Sequence, residues 1–259
     1  MFNEERYDYI ISKLKKNNRV SVSILAKELD ISEVTIRKDL NRLEKENFLK
    51  RTHGGAVLIN KHVRADSVEN KKSKNIEAKQ KIAALASSFL EDDLNIFLDA
   101  GTTIQALIES LTKFKNLNII TYDLEIAYRL SNFPNLSVYI LGGYIDKDSK
   151  SSTSLEGFEN LSNIHADISF IGADAFDDNY VYSTSENKGK IKNRMISNSS
   201  KSILMTDCTK YGKRALYSFN KCKDFDYFIS DRENEKFIKI FSQKLGEKFI
   251  YWKDTIDSN

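Results

Sequence analysis

Five short stretches combine glycine, hydroxyl and charged residues in the way a phosphate or sugar site requires. They are Asp99-Ala100-Gly101-Thr102-Thr103, Thr121-Tyr122-Asp123, Gly142-Gly143, Gly172-Ala173-Asp174 and Thr206-Asp207-Cys208-Thr209-Lys210. Each follows an apolar run rich in β-branched residues. Gly101 lets backbone approach a ligand closely, and Thr102 and Thr103 offer hydroxyls. The start of the helix that follows offers free N–H groups and a positive dipole end. Taken singly, each loop is equally a turn or a helix cap: Asp123 suits a cap, and Gly142-Gly143 a tight turn. Taken together, all five stand just past a strand, where parallel sheets bind their ligands. Convergence on one crevice is what makes them a candidate site.

A second chemistry lies nearer the N-terminus. Residues 32–46 read as a helix with two faces. Ile36, Leu40 and Leu43 fall within about 40° of one another on a helical wheel and form a narrow apolar seam. Thr35, Lys38, Arg42 and Lys45 lie opposite. Ser32 can cap the start and Asn47 can take the left-handed conformation that ends a helix. Alone, this is an ordinary amphipathic helix with a solvated charged face. Its flanks alter that reading.

Residues 4–16 carry Tyr7, Ile10, Ile11 and Leu14 at helical spacing, and Ser23 to Leu29 form a second helix. Asp30-Ile31-Ser32 is a tight turn into the two-faced helix, a helix-turn-helix arrangement. Phe48 to Leu58 then reads as two short strands around Gly54-Gly55, a hairpin or wing. On this reading Thr35, Lys38, Asn41 and Arg42 enter the major groove, while Arg37 and the wing's Lys50 and Arg51 grip the backbone. His53 either joins them or is an exposed turn residue.

Charge supports a nucleic-acid partner for this segment. Residues 1–60 hold 12 basic and 9 acidic residues, which accounts for the whole-chain net charge of +3; the remainder balances at 28 and 28. Arg37 to Arg51 alone carry six cations, a modest basic patch. Two cysteines, Cys208 and Cys222, lack metal-like spacing and read as free thiols of a reducing compartment. No run approaches the ~20 apolar residues of a membrane span, and Met1 to Asp8 is polar and acidic rather than signal-like. The expectation is a cytoplasmic protein with no cofactor and no metal.

After the wing, residues 59–75 are charged and without apolar periodicity, and read as a linker. Strands and helices then alternate: strands at 94–98, 117–121, 137–141, 168–171, 202–205, 225–229 and 249–252, with helices at 77–90, 104–111, 124–130, 190–197 and 233–245. This order implies right-handed βαβ units and a mainly parallel sheet. The expected architecture is therefore α/β: a winged helix-turn-helix domain at 1–58, a linker at 59–75 and an effector-binding domain at 76–259.

Two sets of residues resemble a known family. Val22-x2-Leu25-Ala26-x2-Leu29-x-Ile31-Ser32-x2-Thr35-Ile36-Arg37-x-Asp39-Leu40-x2-Leu43-Glu44, followed by Leu49-x-Arg51-x-His53-Gly54-Gly55-Ala56, is similar to the N-terminal signature of the DeoR family of bacterial sugar-metabolism regulators. Leu98 to Thr103, Leu141-Gly142-Gly143, Phe170 to Asp174 and Asp207-x-x-Lys210 are similar to motifs of that family's effector domain. The resemblance implies a fold like that of ribose-5-phosphate isomerase, and a repressor of a carbohydrate operon whose affinity for double-stranded operator DNA responds to a phosphorylated sugar. It assigns Thr102, Thr103 and Lys210 to the phosphate. Asp99, Asp174 and Asp207 would accept from sugar hydroxyls or orient Lys210. The chain departs from the family at Asn47, where Gly is usual, and at Tyr122, where Asn is frequent; an aromatic there would stack on the ligand or narrow the pocket.

The alternative is a sugar-phosphate-converting enzyme of isomerase-like fold with an accessory DNA-binding domain. Such isomerases carry Asp-Gly-Ala-Asp followed by a glycine-rich lysine segment. Here Ile171 takes the first acid's place and Tyr182 to Gly189 lack the glycine run. Without a positioned base a proton shuttle loses most of its rate, so a binding pocket without turnover is the expectation. One small reading head offers little area, so a homodimer or homotetramer on repeated half-sites is expected.

Overall fold

The computed structural model describes residues 3–17, 19–45, 49–58, 63 and 65–253. The expected helix end at Glu46-Asn47, the first wing residue Phe48 and the linker positions 59–62 and 64 lie outside the described residues. The chain forms two compact units, Met1–Asn60 and Lys61–Asn259.

In the first unit, helices Asn3–Asn17, Val22–Leu29 and Glu33–Lys45 enclose a core of Ile10, Leu14, Val22, Leu25, Ile36, Leu40, Leu43, Leu49 and Ala56. The apolar seam at Ile36, Leu40 and Leu43 is therefore the buried face. Asp30 adopts the left-handed conformation at φ 52° and ends the second helix. Ser32 opens the third, its Oγ accepting from the Thr35 N–H at 3.2 Å. Strands Leu49–Thr52 and Gly55–Leu58 form the wing, and Arg19–Ser21 joins as a third antiparallel strand beside Gly55–Leu58. The hairpin turns at His53-Gly54, one residue earlier than expected, because Gly55 belongs to the strand. Glycine is required there: a Cβ on residue 55 would stand 1.9 Å from the Val20 carbonyl oxygen.

One feature of this unit was not anticipated. Arg6 reaches Asp39 on the inner face of the third helix through Nε at 2.5 Å and Nη2 at 2.9 Å. Their side chains are only 9% and 6% exposed. The paired carboxylate holds the Arg6 guanidinium above its ordinary pKa, against the opposing effect of burial.

In the second unit, seven parallel strands lie in the order 249–251, 227–230, 199–205, 166–172, 95–98, 117–121, 136–140. The sequence therefore runs outward in both directions from the adjacent strands 95–98 and 166–172. That pair is the topological switch point, where helices leave to opposite faces. One face packs on Ile82, Leu107, Leu111, Ile126 and Met205; the other on Phe176, Phe228, Phe237, Phe241 and Phe249. The expected helix at 104–111 is two short ones, Thr102–Gln105 and Ile108–Leu111. A three-stranded antiparallel sheet (175–176, 180–183, 217–221) and a hairpin (144–146, 151–153) were not foreseen. Within the stretch read as linker, Val68–Lys72 is a helix capped by Ser67, with Val68 buried. Apolar periodicity cannot reveal a helix of five residues with one buried position. No helix among the described residues is long and apolar enough to cross a membrane.

Removing one member of a buried ion pair strands the other charge, at a cost of ~3–5 kcal/mol. Asp39→Ala is expected to destabilise the first unit by about that amount, seen as an early transition in urea followed by circular dichroism. Asp226→Ala, in the second unit, should leave that transition in place.

Candidate functional site

The outer face of the Glu33–Lys45 helix is largely exposed. Ser32, Lys38, Asn41, Arg42 and Lys45 are exposed and Thr35 is half-buried beside the cap. Arg37 is exposed and rests on Glu33, Nη2 to Oε2, at 3.2 Å. Arg42 lies over the Tyr7 ring at 5.4 Å, so the first helix aims it. In the wing, Lys50 and His53 are exposed. The Arg51 backbone N–H donates to Glu44 Oε1 at 2.7 Å and ties wing to helix. Its guanidinium is only half-exposed, and Nη1 is buried without a hydrogen-bond partner among the described residues. Arg51 is thus, with Thr35, among the less accessible of the expected DNA contacts.

The second candidate site opens at the switch point of the sheet. A pocket of about 260 Å³ is lined by Gly101, Thr102, Thr103, Asp174 and Lys210 from the expected loops. Its size is near the small end of ligand pockets, which span ~300–1,000 Å³. Gly101 has φ 137° and ψ 160°, a conformation strained for any residue with a side chain. The Asp123 carboxylate fixes it by accepting the Gly101 N–H at 3.0 Å, while capping the next helix through Glu125 and Ile126 at 2.9 and 3.0 Å. Burial raises the Asp123 carboxyl pKa, against the pull of those donors.

Six expected residues do not line this pocket. Asp99 is fully buried behind it. Its oxygens accept from the Tyr122 hydroxyl, from the Gly172 N–H at 2.7 Å and from the Lys192 ammonium. Buried at 0% exposure and outside the pocket lining, it does not reach a sugar hydroxyl. Tyr122 is buried too, its ring in the core and its hydroxyl on Asp99, so it neither stacks on a ligand nor narrows the pocket. Burial, then the Asp99 charge, pushes its phenol well above the ordinary value. Thr121 is buried, accepting the Asp123 N–H at 3.1 Å. Gly142 and Gly143 turn the chain into the 144–153 hairpin; Gly143, at φ 138°, sits where a Cβ would meet Ser154 at 2.5 Å. Asp207 is buried and takes Asn75 Nδ2 at 3.0 Å and the Thr209 N–H at 3.2 Å, with Lys210 at 3.7 Å. Buried strand-end acids must be satisfied, and Asp99 and Asp207, like Asp123, serve their neighbours.

The pocket also holds residues that the sequence did not single out: Lys71, Lys188, Lys192, Thr184, Ser185 and Asp146. Lys188 and Lys192 share one face of the Glu186–Ser197 helix, which Ser185 caps. Setting that helix to begin at Lys190 hid both the cap and the spacing. With Lys210 and Lys71, four ammonium groups line one cavity. Lys71 donates to Asp174 Oδ1 at 2.7 Å, and Thr184 gives Oδ2 its N–H at 2.9 Å and its hydroxyl at 3.0 Å. Burial works to raise the Asp174 carboxyl, but Lys71 and Lys192 overcome it and hold the group well below the usual range. Lys210 donates to the Ala173 carbonyl at 2.7 Å. Burial, aided by Lys71 and Lys192, lowers its pKa despite Asp207 and Asp174. Lys188 is lowered in the same way, by burial and then by Lys192 and Lys71, against Asp146 and Asp174. Two lysines thus carry charge against their surroundings, and an anion in the cavity would relieve both.

The comparisons agree with both halves. Residues 6–62 match the model of the DeoR-like helix-turn-helix domain, and residues 74–232 that of the DeoR C terminal sensor domain. The HTH-type transcriptional repressor GlcR of Bacillus subtilis is 30% identical, over 98% of both chains. The HTH-type transcriptional regulator GolR of Listeria innocua is 33% identical, over 95% of this chain and 97% of its own. A solved ribose 5-phosphate isomerase from Methanocaldococcus jannaschii overlaps 54% of this chain and 56% of its own at 17% identity and a TM-score of 0.40; the fold rests on this chain's own strand order.

Lys210 gives a signed pH test. Its ammonium is disfavoured in the unliganded fold, so the penalty is full below its folded-state pKa, fades as pH rises, and is gone above the ordinary value of 10.5. Lys210→Met is therefore expected to stand higher in melting temperature relative to wild type at pH 7 than at pH near 10.5. A difference that stays constant or moves the other way between those pH values would contradict the assignment.

Proposed function

The chain belongs to the DeoR family of transcriptional regulators, and on that premise we propose that it is a repressor whose sensor unit takes a phosphorylated sugar and thereby changes the affinity of its helix-turn-helix unit for operator DNA. The observation that carries this reading is the pocket itself: four lysine ammonium groups and the Gly101-Thr102-Thr103 turn around one cavity at the switch point. A phosphate monoester dianion compensates Lys188 and Lys210 together, and Thr102 and Thr103 have hydroxyls to donate to its oxygens. Asp146 and Asp174 on the same wall suit the hydroxyls of a small sugar. Asp99 supports the site indirectly, by holding Lys192 in place.

The protein acts by binding and not by turnover. Ile171 is buried in the core where an isomerase would carry its first acid. The acid that is present, Asp174, is held ionised by two lysines, which makes it a weak general base. Steady interconversion of pentose or hexose phosphates by the purified protein would overturn this view.

On the DNA side, Thr35, Lys38, Asn41 and Arg42 face the major groove, and Arg37, Lys50, Arg51 and His53 face the backbone. Arg37 first has to leave Glu33, an exposed pair worth less than ~1 kcal/mol. The regulator works in the cytoplasm as a homodimer or homotetramer on repeated half-sites, because a single small head buries too little for a specific complex.

Titration of the DNA upstream of its own gene, at several salt concentrations and with and without sugar phosphates, tests the whole reading. Asn41→Ala is expected to cost ~1–3 kcal/mol at one base position and to relax preference there. Arg37→Ala is expected to weaken all sequences alike and reduce the salt slope by about 1. Operator titrations unchanged by every pentose and hexose monophosphate would refute the coupling.

A further inference from the structure

The chain enters the sensor unit through residues 63–73, between the two ranges that the family models cover. This segment is a wall of the pocket. Ala65, Asp66, Val68 and Lys71 all line it. Its described residues make specific contacts with the rest of the unit. The Val63 N–H donates to the Arg214 carbonyl at 2.6 Å, and the Val68 N–H to the Asp148 carbonyl at 2.7 Å. Lys71 Nζ reaches Asp174. Beyond it, buried Lys79 donates to the carbonyls of Lys71 and Lys74, and Asn75, left-handed at φ 53°, donates to Asp207 and Thr209.

These contacts differ in what a ligand can do to them. Lys79 and Asn75 do not line the pocket, and their partners are protein groups. Lys71 faces the cavity, and its present partner is a carboxylate that itself lines the cavity. The Lys71 ammonium has three N–H donors, so an anion arriving beside Asp174 can share it. Because Lys71 sits on the Val68–Lys72 helix, any change at its ammonium is felt by the segment that leads back to the DNA-binding unit.

We infer that Lys71 is the residue through which the bound anion acts on the segment joining the two units: the ligand's phosphate shares the Lys71 ammonium with Asp174 and draws the Ala65–Lys72 strap onto itself. This rests on the sensor reading above and names its transmitting residue. Lys210 and Lys188 bind; Lys71 binds and transmits. Lysine at 71 is therefore needed for the response to ligand more than for its capture.

The test separates capture from transmission. Inorganic phosphate, a pentose 5-phosphate and a hexose 6-phosphate are added in turn to the full chain. Thermal melting reports capture, and amide hydrogen exchange over residues 65–73 reports the strap. In wild type, a compound that raises the melting temperature is expected to slow exchange across the strap by about threefold, the scale of one partly exposed ion pair. In Lys71→Met the same compound is expected to bind more weakly, and at concentrations that saturate its melting shift strap exchange and operator affinity no longer respond. Lys71→Arg, which keeps the charge, restores the response. In the unliganded protein Asp174→Asn is expected to speed strap exchange by a similar factor. A melting shift in wild type with unchanged strap exchange would overturn the role of Lys71 and leave the sensor reading intact. If Lys71→Met kept the wild-type strap and operator response, the role would fall in the same way. No melting shift with any of the three compounds would overturn the sensor reading, and the strap with it.

Discussion

A carboxylate with no access to water has to be satisfied by the protein around it, and Asp99 shows what that demand builds. It stands at the point where strands 95–98 and 166–172 part, at 0% exposure. Tyr122 comes from the next strand on one side, Gly172 from the strand on the other, and Lys192 from the helix that crosses beneath. Three separate elements are thus pinned at one anion. A methyl group on residue 172 would stand 3.2 Å from Asp99 Oδ2, so even that close approach is shaped around the charge. The loops that line the pocket start from these pinned positions: Ala100-Gly101 directly after Asp99, and Ala173-Asp174 directly after Gly172. Preorganisation of the cavity follows from the satisfaction of the charge behind it.

The first unit uses a buried ion pair for a different purpose. Arg6 and Asp39 seal the inner side of the Glu33–Lys45 helix, where an aliphatic pair of similar volume would serve stability as well or better. An ion pair of fixed geometry does what an aliphatic pair cannot: it sets the rotation of the helix about its own axis. Lys38 and Asn41 lie about 100° and 160° around the helix from Asp39, so holding Asp39 inward holds those two side chains outward. The seam of Ile36, Leu40 and Leu43 alone would tolerate some rolling. Both units therefore use a buried carboxylate as a locator for cations that have work to do on an exposed surface.

Much of this was legible in the sequence, for reasons that differ between elements. The strands 117–121 and the helix 124–130 were read to the residue, because β-branched runs and an Asp cap mark their ends sharply. The helix-turn-helix was read because Ser32 and the apolar seam mark it locally. The pocket loops were found by their place after strands. What failed was the step from a polar residue at a strand end to a polar residue in the pocket. Asp99, Thr121, Tyr122 and Asp207 have suitable chemistry, yet a sequence does not say whether an acid faces the cavity or the core. The opposite error concerns Lys71, Lys188 and Lys192. In a chain with 40 basic residues, three lysines on helices read as solvated surface. Only long-range contacts, such as Lys71 to Asp174 over 103 residues, set them apart.

The size of the Lys71–Asp174 contact bears on how the regulator must be assembled. Lys71 is 35% exposed and Asp174 16%, so their pair belongs with partly screened interactions worth ~0.2–1 kcal/mol. Coupling between a ligand and an operator is typically ~1–3 kcal/mol, or roughly 5–150-fold in affinity. One strap reaches the bottom of that range and no further. A ligand shifts an equilibrium only by its differential affinity for the two states, and nothing downstream can amplify a small difference within one chain. Two heads gripping one operator through two straps add their increments, and the fold-changes multiply. A modest contact at a partly exposed lysine would therefore couple ligand to operator more strongly in the proposed dimer or tetramer than in a monomer.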